Sequence, residues 1–137
     1  MNRNDLRGLA RARLRESRVL LASREYSGAY YLAGYVIEYA LKACIARQTL
    51  RHDFPNKDRA NQSWSHSLVG LVQVAGLQNA LDAERNDDPQ FDANWGVVKD
   101  WRTDARYIGK DQKQAEGLVR AISDRRHGVL RWLRRHW

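Results

Sequence analysis

The feature that most constrains this chain is a helix-length run at residues 28–46, GAYYLAGYVIEYALKACIA, whose only charged residues are Glu38 and Lys42. A helix that is apolar around its whole circumference has to be enclosed by other helices. Charge kept on such a helix is destabilising unless it is paired. Glu38 and Lys42 stand four residues apart, the spacing at which a glutamate meets a lysine one turn later. Tyr31, Tyr35, Glu38 and Lys42 follow i, i+4, i+7 and i+11 and share one face. Ala29, Ala33, Val36, Ala40 and Ala43 form a second, small-residue stripe that lets a neighbouring helix approach closely. The polar face has two readings: a buried hydrogen-bond network that fixes packing register, or a set of functional groups.

The remaining sequence supplies the enclosing helices. At 137 residues the chain fits one domain spanning 1–137. Residues 3–23 form a first helix, with Leu6, Ala10, Ser17 and Leu20 inward and Asn4 or Asp5 as its cap. Ser27 is the expected cap of the second helix, 28–48. Residues 49–64, with Pro55, read as a long loop. Ser65 then caps a third helix from His66, broken at Gly76 and continued over 77–84. A loop around Pro89 and a short helix at 91–100 follow, and 101–109 reads as irregular backbone. Ala115, Leu118, Val119, Ile122, Val129, Leu130 and Leu133 line a last helix at 110–135, interrupted near Arg126. No segment alternates as a strand would, so the expected fold is all-α, an up-and-down bundle of four to five helices.

Charge is distributed unevenly. Residues 1–24 carry seven arginines against two acids, and residues 110–137 carry eight lysines and arginines against three acids. Between them, nine bases face eleven acids, so the net +8 resides on the terminal helices. If these helices lie side by side, they make either a basic face for a polyanion or a solvated arginine-rich surface. The single cysteine, Cys44, excludes an internal disulfide and sits in the apolar helix as a small core residue. With no apolar leader pattern, a cytoplasmic location is the expectation. Glu38, Lys42 and the tyrosines argue against a membrane span. No Cys/His spacing suits zinc and no glycine-rich phosphate loop occurs, so neither a metal nor a cofactor is expected.

Several motifs together resemble the HEPN-domain family, small helical proteins that often handle RNA or nucleotides. They are Tyr26-Ser27-Gly28-Ala29, Tyr31-Leu32-Ala33-Gly34-Tyr35, Glu38-Tyr39-Ala40-Leu41-Lys42-Ala43, His66-Ser67-Leu68 and Arg106-Tyr107, in the family's order. The resemblance implies a HEPN-like bundle, a homodimer, and RNA or a nucleotide as ligand. It also implies a minimal nucleotidyltransferase as protein partner, in some cases as toxin and antitoxin. Trp132 and Trp137 suit the dimer interface, where aromatics are favoured.

Nuclease members use an arginine followed, after four to six intervening residues, by a histidine, a metal-independent endoribonuclease arrangement. Arg47–His52, Arg59–His66, Arg120–His127 and Arg131–His136 have that spacing, which an arginine-rich chain also produces by chance. Where the family's pair should stand, before the last helix, this chain reads Arg102-Thr103-Asp104-Ala105-Arg106-Tyr107, with tyrosine in place of histidine. The resemblance therefore carries binding further than catalysis. Arg102, Arg106 and Tyr107 are the expected binding cluster, with His66 and Lys42 as further members: guanidinium grips phosphate and tyrosine stacks on a base. Arg106 tied to Asp104 or Glu38, with Tyr107 in the core, is the structural alternative. A non-catalytic helical interaction subunit is the alternative function.

Overall fold

The structure is a computed structural model that describes residues 1–51 and 57–137; for residues 50 and 51 only the backbone is described. Asn2 and Asp5 cap α1 (Arg3–Ala22) reciprocally: Asp5 N donates to Asn2 Oδ1 at 2.8 Å, and Asn2 N donates to Asp5 Oδ2 at 3.1 Å. The cap is thus Asn2, with Asp5 inside the first turn, rather than Asn4 or Asp5. Arg24, at φ 62°, turns the chain, and Glu25 N closes the helix end on Leu20 O at 2.9 Å. The central helix α2 (Tyr26–Arg51) starts two residues after Arg24, so α1 and α2 form a helical hairpin. Ser27 lies inside the first turn of α2 and is not its cap; its Oγ accepts from Lys110 N at 2.9 Å.

Among the described residues, six shorter helices wrap this hairpin: α3 (Lys57–Gln62), α4 (Leu68–Val74), α5 (Gln78–Asp87), α6 (Pro89–Val98), α7 (Gln112–Ser123) and α8 (Val129–Arg134). A 3-10 turn, Thr103–Tyr107, occupies the stretch expected to be irregular. Among the described residues there is no strand, so the fold is all-α. The helices outnumber the four to five expected, for local reasons. The expected loop at 49–64 contains the end of α2 and all of α3, while His52 and Pro55 lie outside the described residues. Ser67, not Ser65, caps α4, its Oγ accepting from Gly70 N at 3.2 Å. That places His66 before the helix rather than in it. The expected last helix is broken at Asp124, whose carboxylate accepts from Arg126 N and His127 N. A Cβ at Gly128 would come within 2.4 Å of Asp124 O, so only glycine fits this corner.

α2 packs against α1, α4, α7, α8 and the 3-10 turn. Its small-residue stripe is fully buried, as are Ile37 and Leu41. Leu71, Leu118, Ile122, Leu130 and Leu133 close the core around it. Trp101 enters from outside this pattern. Its indole lies where a side chain at residue 34 would be, since a Cβ built on Gly34 falls 1.9 Å from the ring. Four of the five tryptophans are internal, including Trp132 (3 % exposed) and Trp137 (5 %). Those two therefore pack inside the fold and are not on offer to a dimer interface. Among the described residues, no helix is long and apolar enough to cross a membrane.

Candidate functional site

The site is built outward from Glu38, which is 1 % exposed at the centre of α2. An ionised carboxylate at that depth needs donors. Lys42 Nζ approaches Oε2 at 3.3 Å, the pairing that the i, i+4 spacing predicts. The other oxygen, Oε1, meets His66 Nδ1 at 2.7 Å. Because an ionised carboxylate only accepts, Nδ1 is the donor, and in the neutral imidazole Nε2 then carries the lone pair. The Lys42 side chain is 17 % exposed and that of His66 56 %, so both groups lead from the buried acid to the surface. The His66–Glu38 contact spans 28 residues, and no spacing rule connects the two. Only the His-x-Leu resemblance singled out His66.

His66 opens onto a cleft of about 440 Å³, shared with Ser67, Lys99, Asp100, Arg102 and Thr103 and floored by Trp101. Arg102 is 3.9 Å from Asp104 and Lys99 is 3.7 Å from Asp100, with all four side chains well exposed. Exposed pairs of this kind contribute little, so both cations are available to an anion. The cleft therefore combines a histidine oriented by a buried acid with a guanidinium. The first is a general acid–base layout and the second suits phosphate. Burial holds Trp101 in place: it is 1 % exposed and contacts Tyr35 edge-on, with centroids 5.0 Å apart.

The five residues singled out in the sequence are distributed over three places. His66 and Arg102 share the cleft. Lys42 lies behind His66, on the far oxygen of Glu38, and lines a second cavity. Arg106 and Tyr107 stand together on the 3-10 turn, the guanidinium 4.6 Å from the centre of the tyrosine ring. Tyr107 is 76 % exposed, which excludes the alternative of a core aromatic. Hydrogen bonding to Tyr31 raises the Arg106 pKa, and among the described residues Asp104 and Glu38 form their ion pairs with Arg102, Lys42 and His66 instead. The polar face of α2 thus divides in two. Tyr31 and Tyr35 share a hydroxyl contact at 3.1 Å, while Glu38 and Lys42 pair separately. Burial, then the Tyr31 hydrogen bond, pushes the Tyr35 phenol above its ordinary value.

The other two described histidines, His127 and His136, have structural surroundings. His127 Nδ1 sits 2.6 Å from Asp88 Oδ2, and that contact is the main cause of the lowered Asp88 pKa. His136 packs edge-on to Trp132, and burial lowers its pKa. Of the Arg–His spacings, Arg59 and His66 face different cavities, and His52 lies outside the described residues. Burial pushes the Cys44 thiol up to about 12, in keeping with a packing role. Among the described residues, no three His, Cys, Asp or Glu groups converge as metal ligands.

The chain ends meet. Arg7 and Arg11 of α1 and Arg134 of α8 converge on the Trp137 ring, at 5.2, 5.1 and 6.0 Å from its centre. These three arginines, drawn from both terminal regions, therefore share a surface, the first condition for a basic face. In comparison with known proteins, no family model matches the chain, and no curated protein or solved structure matches it.

Proposed function

We propose that this protein is a HEPN-like RNA- or nucleotide-binding protein that takes a phosphate group in the His66–Arg102 cleft. One observation carries the reading: a histidine with Nδ1 held by a buried carboxylate at 2.7 Å shares a cleft with an exposed arginine. In this arrangement Arg102 holds the phosphate and His66 Nε2 exchanges a proton with a ribose hydroxyl, which needs no metal. The motif order described above supports the family, and the convergence of Arg7, Arg11 and Arg134 supports a polyanion.

Cleavage of RNA through the 2′-hydroxyl uses a base and an acid, and each cleft holds one histidine. The ribonuclease reading therefore brings a homodimer with it, the second group coming from the other copy. A minimal nucleotidyltransferase is the protein partner this reading implies, as in toxin–antitoxin pairs.

The test uses labelled single-stranded RNA with a chelator present. Arg102→Ala should weaken binding by about tenfold, the loss expected for one charge-assisted contact. His66→Ala should abolish cleavage with little change in binding. Wild-type affinity in both variants would remove the cleft from consideration. Binding without cleavage by the wild-type protein would instead establish a non-catalytic binding subunit.

A further inference from the structure

Lys42 opens away from the cleft, into a second cavity of about 470 Å³ between the start of α1, the last turns of α2, and α3. Ligand sites of this size are ordinary: mostly apolar, with a few polar groups that orient the ligand. Leu6 and Ile45 provide apolar wall. Asn2, Thr49 and Ser63 are uncharged polar neighbours, and the charged side chains are all cationic: Arg3, Lys42 and Arg59. Lys42 is already paired with Glu38. Arg3 and Arg59 have no carboxylate within ion-pair distance among the described residues, and no described carboxylate lines the cavity.

Both guanidiniums are anchored from behind. Arg3 Nη2 donates to the Trp137 backbone oxygen. Arg59 Nη2 donates to Gln48 Oε1, and Gln48 itself donates to Ala75 O. Each arginine also has an Nε–H that is buried without a partner among the described residues. Such unpaired donors are rare in native structures and invite an explanation. At the same cavity stands Trp64, 78 % exposed, while every other tryptophan is internal. Tyr39 is a second aromatic on the wall.

We propose that this cavity is a binding site for a small amphiphilic organic anion. Its anionic head sits between Arg3 and Arg59, and its flat apolar body lies against Trp64 and Tyr39. Charge complementarity selects the head: two guanidiniums with no acid partner among the described residues would be neutralised by one carboxylate, sulfonate or phosphate. The aromatic pair and the aliphatic wall select the body. The site is separate from the His66–Arg102 cleft and does not depend on what that cleft binds.

The probe is 8-anilinonaphthalene-1-sulfonate, followed by fluorescence on the full chain, with N-phenyl-1-naphthylamine as the same apolar body lacking the sulfonate. The sulfonate probe should saturate at one site per chain. Trp64→Ala and Arg59→Ser should each weaken it by about tenfold or more. Ala46→Trp, which fills the cavity, should abolish binding. Arg125→Ser, an exposed arginine elsewhere, should leave it unchanged. Melting curves identify any variant that has lost its fold, and Trp64→Ala, altering an exposed side chain, is the variant that keeps the test decisive. Equal affinity for the neutral analogue would overturn the anionic head. Binding that is unsaturable, or insensitive to Trp64→Ala and Arg59→Ser, would overturn the site. Uptake seen only on dilution would show that a second copy of the chain fills the cavity, which also overturns it.

Discussion

Which member of the Glu38–Lys42–His66 cluster is removed should decide how much stability is lost. The deepest charge is the carboxylate, at 1 % exposure, while Lys42 keeps 17 % and His66 56 % of its side-chain surface. Removing a donor strands a buried anion; removing the anion strands an ammonium that reaches water along its flexible stem. Breaking a fully buried pair costs about 3–5 kcal/mol. Lys42→Met preserves the packing and leaves Glu38 with His66 alone, so a loss of roughly 2–4 kcal/mol is expected, below the top of that range. Glu38→Gln keeps the shape and an acceptor oxygen, and should cost about 1–2 kcal/mol. His66→Ala, at an exposed side chain, should cost about 1 kcal/mol.

The double variant Glu38→Gln with Lys42→Met carries no charge at either position. It should be more stable than the sum of the single losses by about 1–3 kcal/mol, within the range found for contacting residues. In melting experiments each kcal/mol is worth a few degrees for a chain of this size, about 3–5 °C. The assay is therefore a set of four melts, with denaturant titration to place the values on an energy scale. Additivity within about 0.5 kcal/mol would refute a coupled pair. Glu38→Gln costing more than Lys42→Met would refute the depth ordering.

Three other outcomes are expected. Gly34→Ala forces the Trp101 indole to retreat from a Cβ at 1.9 Å, an overpacking that should cost about 1–3 kcal/mol, and adding Trp101→Leu should recover part of the loss in melts of both variants. Asp88 is held below the ordinary carboxylate range chiefly by its His127 hydrogen bond, and Asp124 by the His127 and Arg126 amides, so their stabilisation is full above about pH 4 and is lost as pH falls through the lower folded-state values; Asp88→Asn should flatten the decline in melting temperature between pH 5 and pH 3. RNA affinity should fall with salt at a log–log slope of roughly −0.7 for each phosphate neutralised, and reversing the exposed Arg11, Arg18, Arg120 and Arg131 should flatten that slope, whereas salt-independent affinity would mean the basic face is only solvated.

What the sequence made legible was the part set by local periodicity. The central helix, its buried small-residue stripe and the Glu38–Lys42 pair follow from residue spacing alone. The last apolar stripe is also where it was expected, although Asp124 and Gly128 divide its helix. What could not be read depends on contacts far apart in sequence. Trp101 sits in a stretch without pattern, yet it fills the space left by Gly34, 67 positions earlier. Trp132 and Trp137 looked available because they fall off or end the apolar stripe; Phe91 packs on the first, and arginines from both ends of the chain cover the second. His66 could be suspected but not placed, since its partner is fixed only when α4 folds against α2.

The position of both cavities follows from the enclosure of α2. A helix apolar on every side must be covered, and any carboxylate on it is then buried. A buried carboxylate persists only if donors reach it. At Glu38 those donors are side chains that start near the surface: Lys42 one turn along the same helix, and His66 on the segment leading into α4. Side chains that reach inward to one buried point leave the coverage incomplete where they enter. One such entry is the cleft beside His66 and the other is the cavity beside Lys42. The acid that looked like a cost within an oily helix is therefore also what connects the core to the two places on the surface where a ligand could be held.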